Sequence, residues 1–245
     1  MIVQACLNGA RPPGYHPALP LTPDTIARDA TACVAAGAAE LHIHPRGADG
    51  RESLAPDVMD ATVLAVRRAC PGTLIGVSTG GWIERDADRT LACIAGWREL
   101  PDYASVNFSE AGAPAVAERL LRIGIGVEAG IATVADTERL ASLGLALRAM
   151  RILIEIAEQD EAEALSVAAG IRAVLARAGV RRPVLLHGFD AMVWHFVELC
   201  ARDKLSTRVG LEDGCTLPEG GIAPDNATLI SAAAAKFAAA RARSS

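Results

Sequence analysis

The feature that most restricts how this chain can fold is an alternation of short apolar runs with longer amphipathic stretches. The runs are residues 2–7, the segment carrying His42 and His44, then 73–77, 103–107, 126–128, 149–154, 184–187 and 207–212. Each is too short for a stable helix and is bounded by turn residues, as parallel strands are. Between them the spacing turns helical. Thr22-Pro23-Asp24 reads as an N-cap with proline at the first helical position, and Ile26, Ala30, Cys33 and Val34 then share a face that Gly37 closes. Further helices are predicted after Pro56 and over about 86–100, 113–122, 135–143, 161–178, 191–202 and 226–240. Strand and helix in strict succession imply an α/β fold, a (β/α)8 TIM barrel forming a single domain over residues 1–245. A doubly wound sheet is the alternative. No G-x-G-x-x-G follows the first strand, however, and Gly124-Ile125-Gly126 is a lone G-x-G.

Length alone, 245 residues, suits one barrel or two small domains. The chain is 51% hydrophobic, much of it alanine, and no apolar run is long enough to cross a bilayer. The N-terminus lacks the basic start of a signal peptide and reads as the first strand, so a cytoplasmic location is expected. A net charge of −5 without a basic stripe argues against nucleic acid. The cysteines at 6, 33, 70, 93, 200 and 215 form no CxxC and read as reduced, buried thiols. Lys204 and Lys236 are the only lysines, and neither falls in a strand, which nearly excludes Schiff-base chemistry.

Two stretches carry candidate chemistry. On a strand His42 and His44 point the same way, and Pro45 ends the strand behind them. Such a pair is either two metal ligands or two hydrogen-bonded core histidines. In the eighth strand Arg208, Gly210 and Glu212 share a face, with Gly210 leaving room beneath Glu212. Glu212 can then reach the His pair across the first strand, and a His2Glu set leaves a zinc ion open to water or substrate. Arg208 is a buried partner for Glu212, or the charge that keeps Asp213 ionised as a base. Ser78-Thr79-Gly80-Gly81 is a carboxylate or phosphate cradle or simply a tight turn. Asn107, Glu128, Glu155 and His187 complete a ring of polar strand ends, where the catalytic groups of a barrel lie.

With these pieces placed, the chain resembles the β-keto acid cleavage enzyme family. The matching stretches are Leu7-Asn8-Gly9-Ala10, Pro20-Leu21-Thr22-Pro23, Ala36-Gly37-Ala38, His42-Ile43-His44-Pro45-Arg46, Ser78-Thr79-Gly80-Gly81, Ser105-Val106-Asn107-Phe108 and Arg208-Val209-Gly210-Leu211-Glu212-Asp213. The resemblance implies a zinc-dependent barrel, a homo-oligomer (dimer or tetramer), that exchanges an acyl group between a β-keto acid and acetyl-CoA. His42, His44 and Glu212 would be the zinc ligands, and Asp213, oriented by Arg208, the base. Ser78 and Thr79, with the Gly80 and Gly81 amides, would hold a carboxylate; Asn107 and Glu128 would line the site; Arg46 and Arg11 would join the substrate-binding set. Gly47 stands where the family usually has Asp, the fifth strand has one acid rather than two, and the second half is short. Arg11 replaces an acidic residue of amine-accepting members, which points to a neutral or anionic substrate tail. An amidohydrolase-like metal hydrolase also uses HxH in a barrel, but on the first strand and usually with a strand lysine that this chain lacks.

Overall fold

The structure, a computed structural model, describes residues 1–242. Eight strands form its centre: β1 (Val3–Cys6), β2 (Glu40–Ile43), β3 (Leu74–Ser78), β4 (Tyr103–Asn107), β5 (Gly126–Ile131), β6 (Arg151–Ile156), β7 (Val184–Gly188) and β8 (Thr207–Val209). They pair in parallel in the order β7-β6-β5-β4-β3-β2-β1-β8. The ring closes between its two ends through a parallel bridge from Leu185 to Ser206, where the Leu186 N–H donates to the Ser206 carbonyl at 3.0 Å. This is the (β/α)8 barrel that the alternation predicts.

Helices α1 (Pro23–Ala35), α2 (Pro56–Ala69), α4 (Ala87–Gly96), α5 (Ala113–Arg122), α6 (Val134–Ser142), α7 (Glu161–Arg177), α8 (Val193–Asp203) and α9 (Asn226–Ala242) surround the strands, with a single turn of helix, α3 (Gly81–Glu84), after β3. Local chemistry explains several starts. The Thr22 hydroxyl accepts from the Thr25 N–H while the Thr25 hydroxyl accepts from the Thr22 N–H, a reciprocal cap ahead of Pro23. Thr133 and Asp136 repeat the device on α6.

Strand alternation sorts the side chains into two environments. Outward residues such as Leu41, Ile43, Ile75, Val77, Val127, Ile152 and Ile154 join the helices in one apolar layer. The interior is unusually polar. Arg151 pairs with both Glu40 and Glu128, Gln4 donates to Glu128 and to the Tyr103 hydroxyl, and Tyr103 donates to the Leu41 carbonyl at 2.7 Å. Gly76 makes room for that phenol, since a Cβ there would lie 2.0 Å from the ring.

The last strand departs from expectation. It ends at Val209, and the chain turns, with the Asp213 and Gly214 amides bonding back to the Gly210 carbonyl. Gly210 is needed for backbone approach, because a Cβ would lie 1.9 Å from the Cys6 carbonyl oxygen. The room it leaves is taken by β1 rather than by Glu212. A turn, not strand alternation, aims Glu212.

Candidate active site

The strand ends open into a cavity of about 500 Å³. His42 and His44 leave the end of β2 on its floor, and their Nε2 atoms face one another at 3.1 Å. Glu212 enters from the turn after β8, its Oε2 3.5 Å from His44 Nε2. The ligand atoms of all three lie within 4.8 Å of one another, the one such group among the described residues. Between the two contributing elements runs β1, and the residues after it set the alignment. Asn8 donates to the His44 carbonyl and accepts from the His44 N–H, both at 2.9 Å. Gly9, at φ +50, lies so close under Glu212 that a Cβ would come within 2.3 Å of its Cγ.

The donor set fits a divalent metal. Glu212 Oε2 is buried without a hydrogen-bond partner and faces the imidazole Nε2 atoms, as expected of a group arranged for an ion. Burial holds the His42 imidazole well below its ordinary pKa, in the neutral form that ligates. Burial also opposes charge on His44, but Glu212 and Glu52 outweigh it and push the group up to about 9. Burial would raise Glu212, yet Arg208 and the two histidines hold it well below the usual carboxylate range.

Arg208 is 2% exposed and organises the carboxylates. Its Nη2 reaches Glu212 Oε1 at 2.8 Å, Asp213 Oδ1 at 3.0 Å and Glu155 Oε2 at 3.7 Å. Asp213 is fully buried behind it and does not line the cavity. His187, on β7, bridges the same carboxylates, 3.3 Å from Asp213 and 3.5 Å from Glu155. Burial and Arg208 oppose its protonation, but Asp213 and Glu155 win and its pKa is raised.

Other expected site residues are placed unevenly. Ser78, Asn107 and Arg11 line the cavity. Arg11 is engaged by the protein itself, with Nε on the Glu212 carbonyl at 3.0 Å and Nη2 on Asp190 Oδ1 at 3.0 Å. Thr79 turns away, donating to the Ser105 carbonyl at 2.7 Å. The glycine amides are not free: Gly80 donates to Ser78 Oγ and Gly81 to Glu110 Oε1. Glu128 lies deeper, against Arg151, and off the cavity wall. Arg46 is buried beneath the loops, donating to the carbonyls of Gly9, Arg11 and Gly50. Sequence reasoning missed Trp82, Ser105, Phe189 and Asp190 on the wall, and Glu52 behind His44. The Gly-Gly before Trp82, read as a cradle or a tight turn, is where the indole folds over the backbone. A larger groove, about 770 Å³ between α7, α8 and α9, lies away from the strand ends and is lined by the ion pair Glu198–Lys236.

Comparison with known proteins identifies a family and the fold. A sequence model of the beta-keto acid cleavage enzyme family matches residues 1–169, which include His42 and His44 and stop before Glu212. Among curated relatives, the 3-keto-5-aminohexanoate cleavage enzyme of Fusobacterium nucleatum subsp. nucleatum is 37% identical over 82 residues, and that of Acetoanaerobium sticklandii 35% identical over 82. Each match spans 33% of this chain and 30% of the relative's length. Solved structures share the fold. 3-Dehydroquinate dehydratase from Geobacillus kaustophilus HTA426 superposes with a TM-score of 0.67 at 10% identity, covering 100% of this chain and 92% of that one. Thiamine phosphate pyrophosphorylase from Pyrococcus furiosus gives 0.53 at 11% identity, over 98% and 96%. With more than half of its length matched by the family model, and the HxH pair inside that match, the chain belongs to the beta-keto acid cleavage enzyme family.

Proposed function

We propose that this protein is a zinc-dependent β-keto acid cleavage enzyme that transfers an acyl group between a β-keto acid and acetyl-CoA, yielding acetoacetate and a new CoA thioester. The observation that carries the reading is the convergence of His42, His44 and Glu212 on an open cavity at the strand ends. Zinc held there would supply Lewis-acid polarisation of the keto oxygen, which eases both enolate formation and the later carbon–carbon cleavage. The protein's own groups do the rest. Arg208 fixes Glu212 and Asp213 and keeps their charge compensated within a buried site. Asp213 is the base that the family resemblance assigns; it lies behind Arg208, and His187 links it to Glu155 on the cavity wall. Ser78, on the strand beside the His pair, and Asn107, on the next strand, offer hydrogen bonds to a substrate carboxylate from the cavity wall.

Arg11 is taken up by Asp190 and two backbone carbonyls, and Trp82 and Phe189 flank the opening. An arginine on this wall, at the position where amine-accepting members of the family carry an acid, supports a substrate tail without an amine. The reading extends to a cytoplasmic homo-oligomer, consistent with six free cysteines and with exposed Leu147 and Ile222. The test is an acyl-exchange assay with acetyl-CoA over a panel of β-keto acids, reading acetoacetate, alongside metal analysis of wild type and His42→Ala. Turnover with one bound zinc per chain, both lost in the variant, is the expected result. Zinc-loaded protein inactive on the whole panel would remove the reaction; equal zinc in the variant would remove the site.

A further inference from the structure

We infer that Glu52 and Trp82 form a positioning relay that orients His44 toward the metal and couples the cavity wall to it. This rests on the metal centre proposed above and assigns two residues that neither the HxH motif nor the Arg208–Asp213 stretch contains.

The starting point is the loop after β2. Its sequence, Pro45-Arg46-Gly47-Ala48-Asp49-Gly50-Arg51-Glu52, folds back as a small hairpin: Arg46 and Glu52 form an antiparallel bridge, the Gly47 N–H donates to the Arg51 carbonyl at 2.9 Å, and the Ser53 N–H to the Pro45 carbonyl at 3.0 Å. Gly50 turns the chain at φ +76, a conformation that residues with a Cβ adopt rarely. Arg46 braces the turn from beneath by donating to the Gly50 carbonyl. The fold-back returns Glu52 to the side of His44 and sets its Oε1 2.5 Å from His44 Nδ1.

That contact decides which nitrogen of His44 is available. A carboxylate on Nδ1 accepts the N–H there and turns Nε2 toward His42 and Glu212, the nitrogen that would give up its proton to a metal. His42 has no equivalent, since its Nδ1 is buried without a partner. Among the described residues, Glu52 is therefore the carboxylate that holds His44 from behind.

The other oxygen of Glu52 is held as well. Trp82, on α3, donates its indole N–H to Glu52 Oε2 at 2.9 Å. The ring reaches it by folding over Gly80, where a Cβ would lie 2.3 Å from the indole, so glycine at that position serves the tryptophan. Trp82 is 46% exposed and lines the cavity. One aromatic ring thus touches the space a substrate would occupy and the carboxylate that sets a metal ligand. A molecule stacking on that ring and an ion bound at Nε2 each act on the same short chain of hydrogen bonds.

The test is titration of metal-free protein with zinc chloride, followed by calorimetry and by tryptophan fluorescence. Glu52→Gln should weaken zinc binding 10–100-fold, the range typical for partners of a ligating histidine. Trp82→Phe, which keeps the aromatic face and removes the N–H, should weaken it about threefold and abolish most of the zinc-induced fluorescence change. The other two tryptophans, Trp97 and Trp194, are bonded to the Leu54 and Thr216 carbonyls and should stay silent. Melting of the metal-free proteins separates this from simple unfolding, since both variants should melt within a few degrees of wild type. Zinc affinity of Glu52→Gln within twofold of wild type, or an unchanged fluorescence response in Trp82→Phe, would overturn the relay and leave the metal centre standing. No zinc uptake by wild type would overturn both.

Discussion

Arg151 lies inside the barrel, 5% exposed, held between Glu40 and Glu128 below the floor of the cavity. Burial alone would disfavour its charge, but Glu128, Glu40 and Tyr103 raise its pKa well above the ordinary value. The cluster is a poor source of net stability, because desolvating three charges offsets much of their attraction; removing one member is far costlier than the trio is worth. Arg151→Met should therefore lower stability by roughly 3–5 kcal/mol, read as a shifted denaturation midpoint. Glu128→Gln in the same background should recover part of the loss by removing one stranded charge. Neither partner of Arg151 was readable as such: Glu128 looked like a site residue because only its place near a strand end was visible. The ligand residues fared differently. His42 and His44 alternate on one strand, so one local rule placed both on the same face, and the structure agrees. Glu52 was invisible because its position depends on a hairpin closing eight residues after His44, and no period marks that.

The turn after β8 and the start of α9 are joined by one side chain. Asn226 accepts from the Leu211 N–H at 2.7 Å and donates to the Leu7 carbonyl and to Asp29 Oδ2. It ties the end of β1, the turn that carries Glu212, and α1 to α9. Asp29 bears the cost: burial raises its carboxyl to about 6, Asn226 holding it back and Asp225 adding to the rise. The folded state thus binds a proton more readily than the unfolded chain, whose Asp titrates near 4. Stability from this group is full below about pH 4 and is lost as pH rises through 6. Wild type relative to Asp29→Asn should lose on the order of 2–3 kcal/mol between pH 4 and 7, measured by urea unfolding at each pH. This junction also shows why the eighth strand was overextended in the sequence reading. Alternating Val209 and Leu211 look like continued β structure, but Gly210 lets β1 approach, and Asn226 captures the Leu211 amide that a longer strand would have used.

The eight-strand architecture followed from rhythm alone, since each strand–helix unit repeats the same local pattern and the ring needs nothing further to be inferred. The site's ligand set did not follow as directly. It combines two residues of the second strand with one beyond the eighth, and that meeting is a property of the closed ring. A metal bound there would link the two sides of β1 and so bind the folded state alone. Zinc at a hundred times its dissociation constant should add about 2.7 kcal/mol, roughly 5–10 °C in melting temperature, and a chelator should reverse it. No more than a small shift under saturating zinc would mean that the three groups do not act as one site.

The position of Gly9 between these parts has a temporal consequence. During synthesis both imidazoles emerge well before Glu212, which settles over Gly9 only where β8 docks beside β1. A growing chain therefore offers two candidate ligands first and the full set only once β8 is in place. Capture of a metal by all three groups would then follow docking of β8, a seal on the ring rather than a seed for it.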